Sequence, residues 1–360
     1  MATPLTIVFQ PFATAWLGHS SRLIAIAQAI RRRQPEARLP FLVEGNSGPL
    51  LEQAGFPHFC LPHRTEFAGL EWSCWSGEER DGIMNELGKC LLDHLQPQVV
   101  VFDSPACSYL VDHVRHLKVP TVLCARKTRT ATRTFEWAQT VFPQVDLILV
   151  PHEIGEVWIP PDIAARTHFV GPIVRLSTHA DNTTPVKSDS PLVVVTGGGG
   201  GFPGTVDFYN LALSAFQLAR STLPAIEGIL VAGPMFKEWN QLKLVEGIVI
   251  VPFDPELGTT LRRADVVICQ AGYNTLLELS LFHTPVICVP APRVADNQLE
   301  RACQYAQRRA NFTVFNDSSA ELLNDHILRC LAMRTSAERP ESPPPQGADR
   351  AADLILSLLK

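Results

Sequence analysis

Short apolar runs alternate with longer amphipathic segments along most of the chain. LTIVF (5–9) reads as a buried strand, followed by a loop and a helix over 21–33 with Leu23, Ile26, Ala27 and Ile30 on one face. RLPFLVEG (38–45) predicts a second strand and 48–55 a short helix. QVVVFD (98–103), TVLCA (121–125) and DLILVP (146–151) predict three more strands, separated by helix-length segments. Strands rich in Val, Ile and Leu that alternate with helices imply βαβ units and a parallel sheet covered on both faces.

The pattern stops at STHADNTTPVKSDSP (177–191), which is polar, aperiodic and linker-like. A second series then begins: LVVVT (192–196), GILVAG (228–233), IVIVPF (248–253), DVVIC (265–269) and PVICVP (285–290). ERPESPPPQGAD (338–349) reads as a Pro-rich spacer, and AADLILSLLK (351–360) as a short amphipathic helix. The expected architecture is α/β, with two Rossmann-like, doubly wound domains over 1–176 and 192–337. The 177–191 linker joins them, and the segment 338–360 is placed to return to the first. Two such domains would face a cleft, and open α/β sheets bind ligands at the carboxyl ends of their strands.

A length of 360 residues suits two such cores better than one, and 46 % hydrophobic with 19 % charged residues is a globular composition. The formal charge of −5 and the scattered Lys and Arg argue against nucleic acid as a partner, which needs a concentrated basic surface. The start, MATPLTIVFQPF, has no signal-peptide pattern, and no uncharged apolar run approaches the roughly 20 residues of a membrane span. Peripheral membrane contact stays open. Nine cysteines without a C-x-x-C pair suggest reduced thiols and neither a disulfide frame nor a zinc site. A cytoplasmic, soluble protein is expected.

The strongest chemical signals lie in the second half. LVVVT runs into five glycines, 197–201, including Gly198, Gly199 and Gly200. One reading is a flexible strand-to-helix turn. The other is a backbone that must approach a phosphate, since each glycine costs roughly 0.5–1 kcal/mol of conformational entropy. Gly199, Gly201 and Gly204 formally satisfy G-x-G-x-x-G. However, GILVAG ends without the acidic residue that would hold an NAD ribose, which disfavours a dehydrogenase.

The segment after DVVIC is QAGYNTLLELSLFHTPVICVPAPRVADNQLERA (270–302). Gly272 permits a sharp turn, and Asn274 and Thr275 stand where a helix should begin and its N–H groups would favour a phosphate. Glu278 is either a ligand-binding group or the glutamate of a capping box with Thr275. Asp296, Asn297 and Gln298 follow a strand, where they would grip sugar hydroxyls or simply cap the next helix.

These segments resemble the donor domain of B-fold glycosyltransferases. They are similar to those of the peptidoglycan-precursor N-acetylglucosaminyltransferase family and of the small-molecule UDP-glycosyltransferases. The resemblance covers about 190–315 well and the first half loosely. It implies that Glu278 holds the nucleotide ribose, that Gly272, Asn274 and Thr275 face the diphosphate, and that Asp296, Asn297 or Gln298 contacts the donor sugar. It also implies that the loop after the VPF strand (251–253) covers the base, with Phe253 as a backbone contact.

In the first half, Gly18-His19 stands immediately before the expected helix. The helix dipole there disfavours imidazolium, and a neutral imidazole is what a general base requires. Gly-His at this position resembles the acceptor-side motif of the same families, where the histidine deprotonates the acceptor. Asp103, at the end of QVVVFD, is placed either to pair with His19, as in plant-type relatives, or to cap a helix starting near Pro105.

The peptidoglycan enzymes carry glycine-rich loops in this domain, whereas QPFATAWLGH has only Gly18, which points to a smaller or more apolar acceptor. Trp16, Phe67, Trp72, Trp75 and Trp137 are candidate pocket or core residues. Arg126, Lys127, Arg129 and Arg133 read as a solvated basic group, an anionic acceptor being the lesser alternative. The expected reaction is an inverting displacement from a nucleoside diphosphate sugar, most simply a UDP-sugar. It uses no cofactor beyond that co-substrate and, with no D-x-D pair, no metal. The rival readings are a nucleotide-sugar hydrolase or epimerase on the same fold, and a non-catalytic partner of another transferase.

Overall fold

The computed structural model describes residues 4–11, 17–44, 47–61, 77–103, 108–127, 141–175, 190–293, 296–333 and 345–359. Contacts divide the chain into two units. One contains the residues through Arg175 together with those from Pro345 onward, and the other contains the residues between.

The first unit holds β1 (Ile7–Gln10), α1 (Leu17–Arg33), β2 (Phe41–Glu44), α2 (Gly48–Gln53), β3 (His58–Leu61) and α3 (Gly77–Leu95). These are followed by β4 (Val99–Asp103), α4 (Ser108–His116), β5 (Thr121–Cys124), β6 (Leu147–Val150) and β7 (Thr167–Phe169). Its strands form one sheet in the order β3-β2-β1-β4-β5-β6-β7, parallel throughout. β1 and β4 are buried on both faces, as their continuous apolar runs require. The edge strands β3 and β7 escape the hydrophobic pattern because they are three or four residues long and partly exposed.

α1 starts at Leu17, four residues before its expected start, so Gly18 and His19 lie inside its first turn. Periodicity misses this turn because polar contacts hold it. The Ser20 and Ser47 hydroxyls are 2.8 Å apart, and His19 and Arg22 are both buried against Asp103.

The final helix, α10 (Gly347–Ser357), also begins earlier than its periodicity suggests, inside the expected spacer. It belongs to the first unit. Ala351, Ala352 and Ile355 are fully buried, and Arg33 on α1 forks to Asp349 and Asp353. Gly347 lies so near the backbone of Gly171 and Pro172 that a Cβ would stand 2.2 Å from the Pro172 carbonyl oxygen.

The second unit contains β8 (Leu192–Thr196), α5 (Thr205–Thr222), β9 (Glu227–Val231), β10 (Ile248–Val251), α6 (Leu257–Arg263) and β11 (Val266–Cys269). α7 (Tyr273–Leu279), β12 (Val286–Cys288), α8 (Gln298–Arg308), β13 (Phe312–Val314) and α9 (Ala320–Ala332) complete it. The sheet order β10-β9-β8-β11-β12-β13 is that of the Rossmann fold. Alternate residues of β8 and β11 enter opposite cores. Val193, Val195, Val266 and Ile268 face Phe208, Tyr209 and Phe216, whereas Val194, Val267 and Cys269 face Leu261, Leu276 and Leu279. Burying both faces fixes the sheet between two helical layers and leaves the strand ends to present polar groups. Among the described residues, no helix is long and apolar enough to cross a membrane.

Candidate active site

Each sheet reverses its winding between its first and fourth strands in chain order, β1 and β4 in one unit and β8 and β11 in the other. At such switch points the loops leave in opposite directions and open a crevice at the strands' carboxyl ends. The sequence-predicted residues His19 and Asp103 sit at the first switch point, and the glycine run and Gly272–Glu278 at the second.

In the first unit His19 Nδ1 lies 2.5 Å from Asp103 Oδ1, with both side chains buried. Arg22, one helical turn after His19, donates from Nε to Asp103 Oδ2 at 2.7 Å and from Nη2 to Oδ1 at 3.0 Å. Burial pushes the Asp103 carboxyl up, but Arg22 and His19 more than offset it and leave it below its ordinary value. An ionised carboxylate only accepts hydrogen bonds, so Nδ1 of His19 carries the proton and Nε2 is the unprotonated nitrogen.

Burial lowers the pKa of His19. Asp103 opposes the shift, while Arg22 and Arg126 add to it, and the net value is below the ordinary histidine value. The ring is therefore neutral near pH 7. The Cys124 thiol beside this cluster is pushed up by burial and by Asp103, which keeps it protonated. Arg22 was not anticipated as a site residue. Its signal is its position on the stripe of Leu23, Ile26 and Ile30, where a solvated arginine does not belong.

Asp103 is the last residue of β4, and its carboxylate is taken by His19 and Arg22. Pro105 lies outside the described residues, as do Trp16, Phe67, Trp72, Trp75, Trp137, Arg129 and Arg133. So does most of the 177–191 linker. Arg126 is half-buried and Lys127 exposed; the Lys127 backbone N–H donates to His152 Nε2 at 3.0 Å.

In the second unit the glycine run has a specific structural cause. A Cβ on Gly197 would stand 2.6 Å from the Tyr209 hydroxyl, which accepts from the Gly197 N–H and donates to the Ala232 carbonyl at 2.6 Å. A Cβ on Gly200 would meet the Ala232 carbonyl oxygen, and one on Gly233 would meet Gly198 and Gly199. The Gly199 carbonyl accepts from Met235 N at 3.0 Å. Close packing of the β8 and β9 loops thus accounts for much of the run. Gly198 differs: open space surrounds its missing Cβ, so its φ of +72° alone favours glycine.

α7 begins at Tyr273 with Gly272 as its N-cap, so Asn274 and Thr275 occupy its first turn. Thr275 is the third helical residue and not the cap, so the capping-box alternative for Glu278 is not realised. Glu278 stands half-buried in the second turn. Phe253, two residues past β10, is half-buried.

Asn297 caps α8, accepting from the Glu300 N–H and donating to the Glu300 carboxylate at 2.9 Å. Asp296 pairs with both terminal nitrogens of Arg301, and buried Gln298 accepts from the Ala291 N–H at 2.9 Å. All three predicted residues therefore brace the loop that carries them.

Two arginines missed in the sequence also stand here. Arg293 donates to Gln270 at 2.7 Å and lies over the Phe202 ring at 3.9 Å, and Arg301 donates to the Ala271 carbonyl at 2.8 Å. Neither falls in a recognisable pattern, because the contacts to Gln270 and Ala271 span 23 and 30 residues of sequence.

Residues 192–355 match the glycosyltransferase family 28 C-terminal domain. The chain is a B-fold glycosyltransferase. Two curated relatives of this transferase carry the name UDP-N-acetylglucosamine–N-acetylmuramyl-(pentapeptide) pyrophosphoryl-undecaprenol N-acetylglucosamine transferase. The protein from Symbiobacterium thermophilum is 24 % identical over 369 residues, covering 95 % of this chain and 94 % of its own. The one from Nostoc sp. is 25 % identical over 232 residues, covering 61 % of this chain and 62 % of its own, so that match spans less than two thirds of the relative. The solved structure of the calicheamicin glycosyltransferase CalG4 superposes on the transferase with a TM-score of 0.57 at 13 % identity, covering 99 % of this chain and 95 % of the other, a likeness of fold.

Proposed function

We propose that this glycosyltransferase transfers a sugar, with inversion at the anomeric carbon, from a UDP-sugar to a small-molecule acceptor, with His19 as general base. The observation that carries the reading is the buried His19–Asp103 pair at the switch point of the first unit. The fixed tautomer leaves Nε2 to take the acceptor proton, and Asp103 balances part of the charge that the ring then gains. The acceptor nucleophile attacks the anomeric carbon as the bond to the β-phosphate oxygen breaks, and UDP departs as the leaving group.

The donor is assigned to the second unit. Glu278 hydrogen-bonds the ribose, and the backbone of Phe253 meets the base. Gly198, Gly199, Gly200, Gly272, Asn274 and Thr275 form the backbone cradle for the diphosphate. N–H groups of a first helical turn have no partner within the helix and stabilise the charge that develops on the leaving group. Asp296 and Gln298, already oriented by Arg301 and Ala291, contact the sugar, while Asn297 holds the start of α8. Uracil is favoured because the curated relatives are named for a UDP donor.

Those relatives are also named for a pyrophosphoryl-undecaprenol acceptor. The single glycine of QPFATAWLGH supports a smaller acceptor without a diphosphate. The scheme uses no metal and no cofactor beyond the sugar nucleotide. The seven described cysteines are all free, which supports a reducing, cytoplasmic setting.

Turnover of UDP-sugars with and without an acceptor library tests the proposal. Acceptor-dependent UDP release, unchanged by a chelator and giving a product of inverted anomeric coupling in NMR, is expected. UDP release independent of any acceptor would replace transfer by hydrolysis.

A further inference from the structure

We propose that Arg22 is a positioning residue of the transfer site, clamping the Asp103 carboxylate so that His19 keeps one tautomer and does not command the carboxylate's charge. The inference rests on the reading of His19 as the base.

A histidine paired with a carboxylate alone gains a counter-ion for its protonated form, which favours imidazolium. The site in the first unit has three members. Arg22 engages both oxygens of Asp103, at 2.7 and 3.0 Å, while His19 Nδ1 reaches Oδ1 at 2.5 Å. The planar fork of a guanidinium matches a carboxylate in this two-point way, which an ammonium does not. Oδ1 is shared by both donors, and the Arg22 Nη2 atom is 3.4 Å from His19 Nδ1.

The charge balance follows from those distances. With His19 neutral, the Arg22 cation and the Asp103 anion cancel inside the protein. With His19 protonated, the same buried cluster carries one excess positive charge, and burial makes that state costly. Without Arg22, protonation would instead neutralise Asp103.

Among the described residues, Asp103 is the carboxylate that acts on His19. Arg126, just after β5, and Arg22 both act on His19 in the same direction. Cys124 is held protonated at the end of β5, and His152, beyond β6, is buried, its own pKa lowered by burial. Glu156 beside His152 is the carboxylate facing that imidazole, at 3.5 Å. Arg22 therefore keeps a proton-accepting base available below the pH at which an ordinary His–Asp pair would be loaded.

The test follows the His19 ring directly, in the full chain labelled with ¹³C at histidine Cε1, its resonance assigned by its loss in His19→Gln. The pH midpoint is read in the wild type, in Arg22→Gln and in the charge-retaining Arg22→Lys, alongside the pH profile of kcat/KM. The expected result for Arg22→Gln is a midpoint higher by about one unit or more, with the acid limb of kcat/KM moving up by the same amount. Arg22→Lys is expected to hold the midpoint near wild type while lowering kcat, because the charge remains and the fork does not. An unmoved midpoint in Arg22→Gln overturns the proposal. Should that variant not fold, a raised midpoint in Arg22→Lys overturns it. Transfer that survives His19→Gln would instead refute His19 as the base and leave the ring titration, and hence the reading of Arg22, to be judged separately.

Discussion

Gly200 lies so close to Ala232 that a Cβ added to it would stand 2.2 Å from the Ala232 carbonyl oxygen. Neither backbone can yield easily, because Tyr209 already holds the same carbonyl and the Gly197 N–H. Gly198, two residues earlier, combines a φ of +72° with open space. Both backbones are left-handed, Gly200 at φ +80°, but Gly200 is also closed off by packing, whereas Gly198 is constrained by conformation alone beside a proposed ligand.

Gly200→Ala is expected to destabilise the second unit by about 1–3 kcal/mol through overpacking, on top of about 1–2 kcal/mol for its own left-handed backbone. Gly198→Ala meets no atom and costs about 1–2 kcal/mol through its left-handed backbone. Under the donor assignment, Gly198→Ala loses more nucleotide affinity for each unit of stability lost. Urea unfolding and UDP titration of both variants separate the two effects.

His19→Ala is expected to lower kcat by about 10²–10⁴-fold, the range for loss of a general base, with a small change in the KM for the donor. Because burial holds the His19 pKa below its ordinary value, wild-type activity persists on the acid side of pH 6.5 and falls only as the pH drops through the lowered value. Initial rates across that range check both statements. A donor KM that rises in step with the loss of kcat would point to a structural role for His19.

Stability should fall on the same side. His19 and His152 both have folded-state pKa values lowered from 6.5, so the unfolded chain binds more protons than the folded one below about that pH. Stability is complete above 6.5 and declines as the pH falls through the window between the unfolded and folded values. The Asp103 carboxyl, lowered from 3.8, adds a further loss at more acid pH. Urea midpoints on either side of 6.5 test this, and a first-unit transition that strengthens toward acid would contradict it.

The last helix is a structural part of the first unit. Ile355 is fully buried, and Ile355→Ala should cost about 2–5 kcal/mol of stability in that unit. The exposed Asp353, bonded to Arg33, should matter far less on substitution, about 1 kcal/mol or below. Two-domain unfolding need not be two-state, so the first transition must be assigned by a probe in that unit.

Much of this fold was legible because the central strands are short apolar runs, and LVVVT or QVVVFD can be little else. The edge strands β3, β7 and β13 were not, since HFCL, THF and FTV are brief and only partly buried. Local chemistry revealed His19, Asp103 and the glycine run. It did not reveal Arg22 or Arg293, whose partners Asp103 and Gln270 lie 81 and 23 residues away, or the reach of Arg301 to the Ala271 carbonyl, 30 residues away. The place of Arg22 on the apolar stripe marks it as buried, but pairings set by tertiary contact leave no local pattern, and the early start of α1 was hidden for the same reason. Asn297 shows the converse, a residue whose type fits sugar binding and whose hydrogen bonds are those of a helix cap.

The most direct test of the account is calorimetric titration of the full chain with UDP, with dTDP, GDP, ADP and NAD for comparison and Glu278→Ala alongside. The account predicts that UDP binds most tightly and that the variant loses about 10–100-fold in affinity, as expected for a charged hydrogen bond to ribose worth about 1.5–3 kcal/mol. Binding of NAD alone, or UDP binding indifferent to Glu278, would contradict the assignment of the donor to the second unit.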